Sequence, residues 1–152
     1  MRFISLLGAT LLLLPRLAAA QPRAVPPRRA TCDRVATTSF TFGRTGGNIR
    51  PDGWRLARDG TLSRLADGVI AERLGVVPRE AVRRIARLAW TNGFAALPAS
   101  PTRPTHNPDA ARQFVEVRSA CAAHHVEYAA GDEARAFRAV RALLDSAVTE
   151  AR

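Results

Sequence analysis

Phe40 and Phe42 stand two residues apart within "VATTSFTF", residues 35–42, a run of β-branched and aromatic side chains. Period-two spacing puts both rings on one face of an extended strand, which must then be covered. The same alternation returns in "WRLAR", where Trp54 and Leu56 oppose Arg55 and Arg58, and in "TLSRL" around Leu62. Asp59-Gly60 lies between those two runs. An Asp-Gly step flanked by alternating apolar residues is a strong short-range hairpin signal, so the second and third strands are expected to be antiparallel neighbours. Gly43 to Gly53 reads as a loop rich in turn formers, with Gly46, Gly47, Asn48, Pro51 and Asp52.

Beyond Leu65 the period changes. "ADGVIAERLGVV", residues 66–77, is ambiguous between an irregular connection with a short strand and a turn of helix. Pro78 at a first helical position and Glu80 in the first turn open an amphipathic helix with Val82, Ile85, Ala86 and Ala89 on one face. Asn92-Gly93 ends it, Gly93 suiting a left-handed cap, and Phe94 and Leu97 are expected to pin the exit to the core. The segment 99–109, with prolines at 101, 104 and 108, reads as a surface loop. "RQFVEVRSA" and "HHVEY" form a second alternating pair around a turn at Cys121-Ala122-Ala123. A long helix from Glu133 to about Thr149 is expected to start on an Asp132 cap and to present Phe137, Val140, Leu144 and Ala147. Antiparallel pairs joined by short loops, with two helices on one face, define an α+β fold, a small sheet of four to five strands.

The chain begins Met1-Arg2, runs through the apolar block "FISLLGATLLLL" and ends that stretch in Ala18-Ala19-Ala20. This is the pattern of a secretory signal peptide over residues 1–20, too short to serve comfortably as a membrane anchor. Residues 21–31, "QPRAVPPRRAT", are expected to be a disordered tail, leaving 32–150 as a single α+β domain. All 23 basic residues are arginine. After removal of the leader, 21 arginines face 13 acids, a formal +8. The arginines are scattered and no stacking aromatics interleave with them, so a coding bias toward Arg explains the excess and nucleic acid is not an expected partner. Cys32 and Cys121, the two cysteines of an exported chain, are expected to pair. A catalytic thiol is the alternative, but no activating base stands near either.

A search for chemistry finds little. Arg44-Thr45-Gly46-Gly47 lacks the Lys, the glycine spacing and the following helix of a phosphate loop. His125 and Glu127 share a strand face and could ligate a metal, but His124 points the other way and only His106 offers a third donor, so surface histidines are expected and no metal or cofactor. Ser39, Ser63 and Ser119 lie in strand-like runs without a nucleophile elbow, and paired carboxylates are not evident. No catalytic residue is expected.

One resemblance gives the pattern a context. A strand running into Arg44-Thr45-Gly46-Gly47, a helix leading to Gly93-Phe94 and Leu97-Pro98, then Asp109 through Phe114 with Val117 and a closing helix, resembles emfourin-type proteins, small α+β inhibitors of thermolysin-like metalloproteases. The similarity spans Thr38 to Val148. It departs where the family places an aromatic after the two glycines, since Asn48 stands there. The resemblance implies a non-enzymatic exported inhibitor acting through the loop at 43–53, with Arg44, Thr45, Gly46, Gly47, Asn48, Ile49 and Arg50 as the binding loop. It would act as a monomer on a secreted or periplasmic metalloprotease. A cell-envelope protein binding an anionic partner through arginine, or a structural or interaction domain, is the alternative.

Overall fold

The computed structural model describes residues 32–46, 52–99 and 111–151. The leader 1–20, the tail 21–31, the loop tip Gly47, Asn48, Ile49 and Arg50, and most of the proline-rich segment with His106 lie outside the described residues. The elements run β1 (Ser39–Thr45), β2 (Asp52–Leu56), β3 (Thr61–Ala66), β4 (Val69–Val76), α1 (Arg79–Thr91), a 3-10 turn (Phe94–Ala96), β5 (Arg112–Arg118), β6 (Ala123–Ala129) and α2 (Arg135–Glu150). The strands form one antiparallel sheet in the order β4-β3-β2-β1-β5-β6. The α+β class is as expected, but the sheet has six described strands where four to five were expected, because residues 66–77 supply β4.

Two Asp-Gly steps separate their roles here. Asp67 and Gly68 both adopt positive φ, 52° and 78°, the conformation of a two-residue primed hairpin turn, and they join β3 to β4. At Asp59-Gly60 only the glycine is left-handed. That corner is instead a wider turn in which the Ala57 N–H donates to Thr61 O and the Gly60 N–H to Ala57 O, each at 2.9 Å. Asp59 accepts from the Thr61 N–H at 2.9 Å. The backbone and side-chain hydrogen bonds from Thr61 hold this carboxyl below the usual carboxylate range. A depressed carboxyl contributes stability above its ordinary pKa and loses it as pH falls through the lowered value.

β1 begins later and ends later than the alternation suggests. Val35–Thr38 form a turn instead of strand, with the Ala36 N–H donating to Asp33 Oδ1 at 2.9 Å. The strand continues through Arg44 and Thr45, because Arg44 pairs with Asp52 on one side and Gln113 on the other. Pairing on both flanks overrides the weak strand propensity of the glycines around it. Two register shifts on β4 leave Ala71 and Leu74 without a partner on β3. Such bulges at a sheet edge disrupt the template for further strand pairing. At the opposite edge, the Glu127 N–H on β6 donates to Ala99 O at 3.2 Å.

Both helices cover the same sheet face. Phe40, Phe42, Leu56, Leu62, Val115, Val117 and Val126 meet Val82, Ile85, Ala86 and Ala89 of α1 and Phe137, Val140, Leu144 and Ala147 of α2 in one core. Those helix positions are the ones their 3.6-residue period selects. Phe94 is buried and Leu97 half-buried beyond Gly93, which is left-handed as a cap requires. Pro78 sits at the cap position of α1, one residue before the helix, and its carbonyl accepts from the Ala81 and Val82 N–H groups. Asp132 does not cap α2. That helix starts at Arg135 after Ala134, with no side-chain cap. The Asp132 N–H is instead part of a turn, donating to Ala129 O at 3.2 Å.

Cys32 and Cys121 are joined, their Cα atoms 6.2 Å apart and 89 residues apart in sequence. The bridge ties the turn before β1 to the β5–β6 turn, where the Ala120 N–H also donates to Thr37 Oγ1 at 3.2 Å. Trp90 Nε1 on α1 donates to Thr38 Oγ1 at 2.8 Å, so the same turn is held to the helix layer. Closing a loop of this length removes chain entropy from the unfolded state. The double replacement Cys32→Ser with Cys121→Ser should lower unfolding free energy by about 4 kcal/mol in urea titration. An unchanged midpoint would show that the bridge constrains nothing.

Candidate functional site

The end of the sheet that carries Arg44, Thr45 and Gly46 is held from beneath by one buried side chain. Arg141 of α2 lies among the apolar stripe, 6 % exposed. Its Nη1 donates to the Gly43 carbonyl oxygen at 2.8 Å, and its Nε to the Asp145 carboxylate one helical turn on, at 3.0 Å. The guanidinium lies 5.4 Å from the centroid of Phe42 and 6.0 Å from that of Trp54. Those two rings are cross-strand partners and stack at 5.7 Å. Asp145 and the two ring faces hold the guanidinium in place, and it fixes the position of the β1–β2 corner relative to α2.

Backbone approach tightens the same corner. A Cβ added to Gly43 would stand 2.1 Å from Asp52 O and 2.7 Å from the Gly53 Cα, so β1 and β2 come together at a distance only glycine permits. Arg64 Nε stands 3.6 Å from Asp52 Oδ1, an ion pair too long for a hydrogen bond. Of the proposed loop residues, Arg44 and Gly46 are exposed and Thr45 is half-buried, opposite Arg112. Gly46 is left-handed with φ 74°. The structure therefore brings Arg44, Thr45 and Gly46 to one rim, while Gly47, Asn48, Ile49 and Arg50 fall outside the described residues.

His125 and Glu127 share the sheet face away from the helices, Nε2 to Oε2 3.8 Å. His125 also stacks on Phe114 at 5.8 Å, and Glu127 is shared with Arg112 at 3.6 Å. His124 faces the helix layer, edge-on to Phe94. Among the described residues no group of three His, Cys, Asp or Glu side chains is gathered for a metal ion. Ser119 Oγ donates to Ala122 O at 3.1 Å and accepts from the Ala122 N–H at 3.0 Å, so it shapes the β5–β6 turn. Ser39 Oγ donates to Arg118 O at 3.4 Å, and Ser63 is buried. Cys32 and Cys121 are both consumed by the disulfide.

The uncovered sheet face carries a second arrangement. Register aligns Arg73, Ser63, Arg55, Thr41, Glu116 and His125 in one row across all six strands. Directly paired residues project on the same side, so this row is a polar stripe opposite the core. Arg141 and this row were both beyond sequence reading. The only signal for Arg141 was its place in the α2 stripe, flanked by Val140 and Leu144 and four residues from Asp145. Among the described residues no helix is long and apolar enough to cross a membrane. No family model matches this chain, and no curated protein matches it in sequence.

The anchor is open to a direct measurement. Arg141→Ala should destabilise by roughly 3 kcal/mol in urea unfolding, since it leaves the Gly43 carbonyl unpaired and a gap beneath Phe42 and Trp54. Arg141→Met, which keeps the bulk, should cost about half as much. Equal losses in both would show that the hydrogen bonds alone matter there, and no loss in Arg141→Met that packing alone does.

Proposed function

We propose that this chain is an exported, non-enzymatic α+β domain that inhibits a thermolysin-like metalloprotease through the loop at 43–53, as its resemblance to emfourin-type proteins implies. The observation that supports this reading is the anchored base of that loop. The Gly43 carbonyl is held by a buried arginine, and β1 and β2 approach within glycine-only distance. A loop that leaves a fixed base loses less conformational freedom on binding than one leaving a mobile base, so more contact energy appears as affinity. Arg44 and Thr45 stand at the threshold, and Asn48, Ile49 and Arg50 form the contact tip.

Export is the second part of the proposal. The Met1–Ala20 leader pattern supports it, and so does the formed disulfide, which belongs in an oxidising compartment. The domain acts as a monomer, with the loop as its single protease contact.

Inhibition is read from peptide cleavage by a thermolysin-like protease titrated with the purified mature chain. Cleavage should fall to a floor near stoichiometric ratio. Replacing the tip by Asn48→Gly, Ile49→Ser and Arg50→Gly should weaken inhibition by at least about tenfold, with unfolding unchanged. Full cleavage in excess inhibitor would remove this protease class as the target.

A further inference from the structure

We propose that the uncovered face of the sheet, at its disulfide end, is a docking groove for an acidic peptide segment. Two depressions of about 360 and 400 Å³ lie side by side there and share Ser39, Arg55 and Arg118, so they form one groove. Arg58, Asp59 and Ser119 line one end, where the Asp59 carboxylate is engaged by the Thr61 N–H, and Leu65, Ile70 and Glu116 the other, so three arginines face two carboxylates across the groove. The groove lies at the start of β1, whereas the loop at 43–53 leaves its end. The groove also reaches Leu65, the cross-strand partner of Gly53, so it borders the base of that loop, and its test uses a peptide with no protease present.

The charge balance indicates the occupant. Arg118 is already paired with Glu116, at 2.6 Å. Arg55 and Arg58 are exposed, and neither has a carboxylate within ion-pair distance among the described residues. Two unneutralised guanidinium groups beside the Ser39 and Thr41 hydroxyls present forked donors that match carboxylates. At the other end Ile70 is 53 % exposed beside half-buried Leu65, which suits an apolar side chain next to those carboxylates. A nucleic acid strand fits less well. No aromatic ring lines the groove for base stacking, whereas Leu65 and Ile70 offer an apolar contact that a peptide can use and a nucleic acid backbone cannot. The bulges on β4 disfavour strand addition at that edge, so the segment lies on the face.

The test is fluorescence anisotropy of a labelled Leu-Glu-Glu repeat peptide with the purified mature chain, at about 0.1 M salt. A thymidine oligonucleotide serves as the second probe. The double variant Arg55→Gln with Arg58→Gln should weaken peptide binding about tenfold. Arg84→Gln with Arg87→Gln, which removes the same charge from the exposed face of α1, should change it less than about twofold. Equal weakening by both pairs would overturn the groove and leave only net charge. So would wild-type protein that fails to bind the peptide. Tighter binding of the oligonucleotide through Arg55 and Arg58 would overturn the choice of a peptide.

Discussion

The hydrogen bond from Arg141 to the Gly43 carbonyl is the contact on which the geometry of this domain turns. It joins the last helix to the first strand across 98 residues of sequence. A buried guanidinium is costly to desolvate, and it persists here because each of its faces is used. Asp145 takes Nε, the Gly43 carbonyl takes Nη1, and the rings of Phe42 and Trp54 lie against its plane. The strand corner that this arrangement fixes is also the base of the loop proposed to meet a protease.

A second clamp holds the opposite end of β1. The Cys32–Cys121 bridge, the Trp90 bond to Thr38 and the Ala120 bond to Thr37 tie the turn before the strand to both the β5–β6 turn and α1. The central strand is therefore fixed at both ends by groups distant in sequence. Between the clamps, the helix face of the sheet is apolar and its other face carries a row of polar and charged side chains. Among the described residues, that division leaves one face open to a partner without disturbing the core.

Much of this was legible before any coordinates. Period-two pairs such as Phe40/Phe42 and Val115/Val117 located strands because each pair must share the core face. The helical stripes from Val82 and Phe137 located the helices for the same reason at a different period. The two cysteines pair as expected. What failed was local signal without tertiary context. Asp67-Gly68 was the true two-residue turn, yet it followed the alternating "TLSRL" so closely that β4 stayed hidden. Asp132 looked like a cap but was drawn into a turn with Ala129. Arg141 carries no signal of its own in the sequence, because its partner Gly43 lies on the first strand and no local pattern points to it. The stripe through Arg55 depends on register across six strands, which no single run of residues encodes.

The proposed function makes the corner at 43–53 the surface that meets a protease. Hydrogen–deuterium exchange of the mature chain, free and saturated with a thermolysin-like metalloprotease, tests it directly. New protection is expected only at the amides from Arg44 to Gly53, with exchange on β4 and around Arg55 unchanged. Complex formation without added protection in that segment would contradict it.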